Sequence, residues 1–314
     1  MVDRYEGCVV GLAVGDALGF PTEFMSLDEI RSQFGHDGIS DFVSYHRFPL
    51  GTFTDDTQMS CALAEALLET HGADLETVME AVAKRFVAWS IAPDNNRAPG
   101  MSCLSGCRAL SSGVPWRTSG VPDSKGCGSA MRSAPIGLLH HGDLRAITEL
   151  GQATSLPTHG HACALAGSVA TAAAVSLALD GVEPMAIVEQ VIALCEPISV
   201  EFSRHVSRIP DALTLDSDQA LALLGEGWVA EEAVAAALYC FVASPDDYRR
   251  TVLRAANTNG DSDSLACIAG AVSGAYNGLA AIPAAWRETV EKSDYLHDLA
   301  RRLHAAATGG ARPD

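Results

Sequence analysis

The sequence predicts an all-α protein: one domain of helices packed in layers over residues 1–306, with a flexible tail at 307–314. Three observations carry this. Apolar residues recur at helical spacing along most of the chain, and no segment alternates in the manner of a strand. Alanine is abundant and aromatics make up only 6% of residues, a composition that favours helices. The links between periodic segments are mostly short, and neither a repeat nor a linker divides the 314 residues. One large core is therefore expected.

In chain order, the periodicity predicts helices over Arg4–Leu18, Asp56–Thr70, Leu75–Trp89, Ser129–His140, His161–Leu179, Pro184–Cys195, Ala230–Val242, Asp246–Ala256, Ser264–Asn277 and Ala284–Lys292. The first carries Gly7, Gly11, Gly15 and Gly19, one every fourth residue and so on one face. Each glycine costs a helix about 1 kcal/mol against alanine, so a stripe of them calls for a close neighbour. Gly270, Gly274 and Gly278 repeat the spacing near the end of the chain, and the two helices are expected to pack on each other. The stretch Ala162–Leu179 is long and apolar enough to suggest a membrane span. Its alanine content and Ser168, Thr171 and Ser176 make it a buried central helix instead. Residues Pro93–Gly100 and Ser111–Gly128 read as loops from their glycine, proline and polar content.

The formal net charge is -18, which argues against nonspecific nucleic-acid binding. It is compatible with internally held cations. A phosphate-bearing ligand would need its charge offset locally, by metal ions or helix N-termini. The nine cysteines are odd in number, scattered, and form no Cys-x-x-Cys pair, which points to reduced, buried thiols rather than a disulfide framework or structural zinc. Met1-Val2-Asp3-Arg4-Tyr5-Glu6 has no basic lead and no long apolar run, so a cytoplasmic protein without a leader or membrane segment is expected.

Two acidic clusters stand out. In Thr54-Asp55-Asp56 a loop becomes a helix. Thr54 or Asp55 can cap it, with Gln58 in the capping-box position relative to Asp55. A cap explains one of these residues; two adjacent carboxylates repel unless a cation lies between them. Asp261-Ser262-Asp263-Ser264 repeats the design: a polar loop with one glycine feeds an apolar helix, and at a helix start both aspartates can face one ion. These hard oxygens suit magnesium, manganese or calcium, and together they suffice for two ions. Between the clusters, Ser124-Lys125-Gly126-Cys127-Gly128 precedes a helix and can present backbone N–H groups to an anion, or be an ordinary loop. Glu23 follows the glycine-striped helix in a turn, as a surface carboxylate or a general base. His159-Gly160-His161 invites a metal reading, but nothing at zinc-like spacing accompanies it.

Taken in order, Gly15-Asp16-Ala17-Leu18-Gly19 with Glu23, Thr54-Asp55-Asp56, Gly126-Cys127-Gly128-Ser129-Ala130-Met131-Arg132, Thr158-His159-Gly160-His161 and Gly260-Asp261-Ser262-Asp263-Ser264 resemble the ADP-ribosylglycohydrolase family. That family includes the dinitrogenase reductase-activating glycohydrolases and the ADP-ribosylhydrolases. The resemblance runs from about Tyr5 to about Trp286. It implies an orthogonal all-α bundle with two divalent cations, Mg2+ or Mn2+, that hydrolyses the glycosidic bond between ADP-ribose and an acceptor. By motif match the metal ligands are Thr54, Asp55, Asp56, Asp261, Asp263 and Ser264, with Glu23, Asp55 and Asp263 catalytic. Ser124, Lys125, Gly126, Cys127, Gly128 and His159 match substrate-contacting positions. Ser264 stands where the family often has threonine, and Cys127 where asparagine is common. Arginine-directed relatives carry an acid just before the position of Gly100; here the nearest is Asp94, the candidate partner of a guanidinium leaving group. The partner expected is ADP-ribose or an ADP-ribosylated protein, modified on an arginine-type side chain, with serine, nucleic-acid or small-molecule conjugates as alternatives and a monomer as the working form. A non-catalytic, crystallin-like relative would have no need to keep repelling carboxylates.

Overall fold

The computed structural model describes residues 1–309 and is helical throughout. The helices are α1 (Val2–Gly19), α2 (Leu27–Phe34), α3 (Asp55–Glu69), α4 (Leu75–Ser90), α5 (Met101–Ser111), α6 (Ala134–Leu139), α7 (Leu144–Ser155), α8 (Ala162–Leu179), α9 (Pro184–Cys195), α10 (Val200–Val206), α11 (Ile209–Ala212), α12 (Ser217–Leu224), α13 (Ala230–Val242), α14 (Tyr248–Ala256), α15 (Ser262–Asn277), α16 (Ala284–Thr289) and α17 (Ser293–Ala307). Among the described residues there is no strand, only isolated bridges such as Gly126 with Val229.

The core is built on α1, α8 and α15. α8 is nearly all buried and packs against α6, α7, α9, α13 and α15. Although it has the length and hydropathy of a membrane span, 89% of it lies inside the fold. α1 and α15 run antiparallel in contact along their glycine faces. A Cβ at Gly7 would come within 2.3 Å of the Gly274 carbonyl oxygen, at Gly11 within 2.5 Å of Gly270 O, at Gly15 within 1.9 Å of Ala266 O, and at Gly19 within 2.4 Å of Asp263 Cα. No side chain fits there, so the helices pack backbone to backbone. This register sets the C-terminal end of α1 beside the N-terminal end of α15.

Among the described residues, seven helices (α2, α5, α7, α10, α11, α12 and α17) were not expected, and two expected ones differ in extent. The helix expected over Ser129–His140 is cut to Ala134–Leu139, because Pro135 has no N–H to donate and is tolerated only in a first turn. The helix expected to reach Lys292 stops at Thr289, where Val290 turns extended. Of the tail expected over 307–314, Ala307 closes α17, and residues 310–314 lie outside the described residues. All nine cysteines are free thiols, and all but Cys61 are buried.

Candidate metal centre and ligand cleft

The α1–α15 register brings the acidic clusters together. Thr54 caps α3, its hydroxyl accepting from Asp56 N at 3.4 Å. Gln58 does not complete a capping box: its amide donates to Asp94 O at 3.0 Å and its oxygen accepts from Trp89 Nε1 at 3.0 Å. Asp55 is left to face inward, where one oxygen accepts from Gly100 N at 3.2 Å. Across from it, Asp261, Asp263 and Ser264 open α15, with Asp263 Oδ1 accepting from Ser264 N at 3.0 Å. Asp55, Asp56, Asp261, Asp263, Ser264 and Glu23 line a single cleft of about 330 Å³. Carboxylate oxygens of Glu23, Asp261 and Asp263 lie within 4.8 Å of one another.

Glu23 follows the short turn Phe20–Thr22 that ends α1. Its loop is tied to the second cluster: Phe24 N donates to Gly260 O at 2.9 Å and Leu27 N to Asn259 Oδ1 at 2.7 Å. Phe24 itself has φ 66° and is 65% exposed, yet its ring stacks on Trp228 at 5.1 Å across the cleft mouth.

The electrostatics are those of too many carboxylates in too little water. Burial, then Asp263, Asp261, Asp55 and Asp16, push the Glu23 carboxyl up to about 12. Burial and Asp263 push Asp55 up to about 8 and Asp16 to about 7. Asp56 and Asp261 are driven well above the usual carboxylate range by the same two causes. Such a group ionises fully only beside a cation. The donor set fits one: Asp56 Oδ1 is buried with no hydrogen-bond partner, and every candidate ligand offers a hard oxygen, as Mg2+ or Mn2+ requires.

The other expected residues divide. Gly126, Cys127, Gly128 and His159 line the cleft. The two glycines admit the His159 ring, whose Nε2 lies 3.0 Å from a Cβ placed on Gly126 and whose Cε1 lies 2.8 Å from one on Gly128. Cys127 Sγ donates to Asp261 Oδ2 at 2.8 Å. Ser124 is not among the lining residues but pairs with Ser102, which is, at 2.8 Å. Lys125 points away, its ammonium paired with Glu201 and Glu231, so it anchors the loop instead of reaching the cleft. Asp94 is also outside, its carboxylate 3.2 Å from Lys292 Nζ.

Two residues had no role in the sequence reading. Asp16, fully buried, accepts from Thr54 N at 2.8 Å, Thr57 N at 2.9 Å and Thr57 Oγ1 at 2.5 Å, and so fixes the start of α3 on α1. An acid set among the apolar and glycine residues of the last turns of α1 was the available signal. Trp228 had none, because only the fold carries it to the cleft.

The family description ADP-ribosylglycohydrolase matches residues 1–312. The chain is 33% identical to an uncharacterized protein of Archaeoglobus fulgidus, covering 97% of each. It is 29% identical to ADP-ribosylhydrolase ARH3 of Gallus gallus, covering 96% of this chain and 92% of that one. It is 27% identical to ADP-ribosylarginine hydrolase Tri1 of Pseudomonas putida, covering 96% and 78%. A solved ADP-ribosylglycohydrolase-related protein complex superposes with a TM-score of 0.77 at 27% identity, covering 98% of both chains.

Proposed function

The chain belongs to the ADP-ribosylglycohydrolase family and is a hydrolase of ADP-ribosyl linkages; we propose that it works with two divalent cations, Mg2+ or Mn2+, held by Thr54, Asp55, Asp56, Asp261, Asp263 and Ser264. The observation that carries this is the convergence of two helix-start clusters on one cleft, with the buried Asp56 Oδ1 lacking any partner. Such cations supply Lewis-acid polarisation of substrate and water oxygens.

The side chains do the rest. Glu23 at the cleft mouth faces the anomeric carbon, where positive charge develops as the glycosidic bond breaks. Its carboxylate stabilises that charge or takes the proton of the attacking water. Asp263 stands beside Glu23, its carboxylate oxygen within 4.8 Å, and Asp55 faces it from the other cluster. Gly126, Cys127, Gly128 and His159 receive the ADP-ribosyl group, and Phe24 with Trp228 closes over it.

The acceptor follows from what the cleft offers a leaving group. An arginine-type acceptor wants a dedicated carboxylate. Asp94 is turned to Lys292, and the carboxylates of the cleft lining are Glu23 and the four aspartates of the centre. A neutral leaving group, the hydroxyl of a serine-type protein side chain, suits this lining better and is the reading we favour over arginine. The net charge of -18 disfavours a nucleic-acid acceptor. Release of ADP-ribose from serine- and arginine-linked peptides, with Mn2+, Mg2+ or a chelator, tests both parts. Metal-dependent release from the serine-linked peptide is expected. Release in chelator, or from neither peptide, would overturn the metal-hydrolase reading. Release from the arginine-linked peptide alone would overturn the acceptor.

A further inference from the structure

Arg132 is 1% exposed, and among the described residues no carboxylate pairs with it. Its guanidinium lies 4.5 Å from the Phe86 ring centroid. It donates to Gly128 O at 2.9 Å, Thr154 O at 2.8 Å and Thr158 Oγ1 at 2.8 Å. A guanidinium can only donate, so at Thr158 it fixes the hydroxyl oxygen as an acceptor. The hydroxyl hydrogen then has two destinations. One is Ser155 O at 3.4 Å, which already accepts from Thr158 N at 3.0 Å and His159 N at 2.8 Å. The other is His159 Nδ1 at 2.7 Å. The contact to Nδ1 is the shorter, at 2.7 against 3.4 Å, and Ser155 O already accepts twice, so the geometry favours Nδ1 as the acceptor.

With Nδ1 accepting, the ring proton of a neutral His159 sits on Nε2. Burial, then the Arg132 charge, hold the imidazole neutral by lowering it to about 3. His159 is 3% exposed and lines the cleft, and among the described residues its Nε2 has no hydrogen-bond partner. We propose that Thr158, its acceptor side taken by Arg132, is a positioning residue that locks His159 as the Nε2–H tautomer, so that the cleft presents one neutral donor to an oxygen of the ADP-ribosyl group. The identity of the ligand rests on the proposed function; the tautomer does not.

The test is nitrogen-15 NMR of the full chain labelled at histidine, at neutral pH and without ligand. For His159, a protonated Nε2 and an unprotonated Nδ1 are expected. A protonated Nδ1 would overturn the proposal outright. Thr158→Val keeps the side-chain shape and removes the hydroxyl; it should give a mixture of tautomers and bind ADP-ribose about tenfold more weakly by calorimetry. Thr158→Ser should restore both. A Thr158→Val protein with the wild-type nitrogen pattern would show that something else sets the tautomer and would end the idea. If the wild-type protein shows the expected tautomer but no ADP-ribose affinity, the ligand assignment fails while the relay stands.

Discussion

Glu23 and Cys127 occupy opposite sides of one acidic cluster and should fail differently when changed. In the proposed mechanism Glu23 carries charge that the reaction uses, so Glu23→Gln should lower kcat by about 10²–10⁴-fold while Mn2+ affinity measured by calorimetry changes little. Cys127 acts through Asp261, which accepts its thiol hydrogen at 2.8 Å. If Asp261 is a metal ligand as proposed, removing the donor that orients it should weaken metal binding by about 10–100-fold. Cys127→Ala should therefore lose Mn2+ affinity, and Cys127→Ser should retain most of it. At this scale the sequence was informative where chemistry demanded adjacency: Asp55 beside Asp56, and Asp261 two residues from Asp263, cannot be explained as caps alone. It was uninformative about direction. Lys125 and Asp94 sit in the right segments, but their partners Glu231 and Lys292 are distant in sequence. Only the fold turns both side chains away from the cleft.

At the scale of helices, the α1–α15 contact is the element on which the site depends. Gly15→Ala would put a methyl 1.9 Å from Ala266 O, a backbone atom that cannot step aside. Overpacking of this kind costs about 1–3 kcal/mol or more, and a lower denaturant midpoint should show it. Because the same shift parts Asp16 from Asp263, Mn2+ affinity should fall with stability. The pairing was legible from the four-residue glycine spacing alone. The helices not predicted are α2, α5, α7, α10, α11, α12 and α17, several of them short or highly charged. α2 is announced by a capping box, Ser26 with Glu29, α7 by Asp143 accepting from Ala146 N, and α12 by Asp216 accepting from Gln219 N. Each is a local signal that apolar periodicity does not register. α17 mixes Asp294, His297, Asp298, Arg301 and Arg302 with a buried stripe of Leu296, Leu299, Ala300 and Leu303, so its apolar face is real but narrow.

For the whole molecule, the crowded carboxylates make stability depend on pH and metal together. In the metal-free chain Asp55 and Asp16 titrate at about 8 and about 7, above the unfolded value of about 3.9. Between those limits the folded state binds more protons than the unfolded state, so stability falls as pH rises. The favourable contribution is complete below the unfolded value and lost as pH passes 7 to 8. The Tm of chelator-treated protein should therefore drop between pH 5 and pH 8, and saturating Mn2+ should raise it more at pH 8 than at pH 5. A metal increment independent of pH would mean that the clusters do not hold the ions.

The backbone-to-backbone seam of α1 and α15 also sets when activity can arise during synthesis. α1 is made long before α15, with its glycine face bare, and its partner surface ends only at Asn277. Contacts this distant in sequence form late and slowly. A nascent chain shorter than this has Thr54, Asp55 and Asp56 but no opposite wall, so on the proposed reading it could neither retain cations nor cleave a substrate. Competence therefore waits on the synthesis of α15, and a chain truncated before α15 should be inert and prone to capture by chaperones, not partly active.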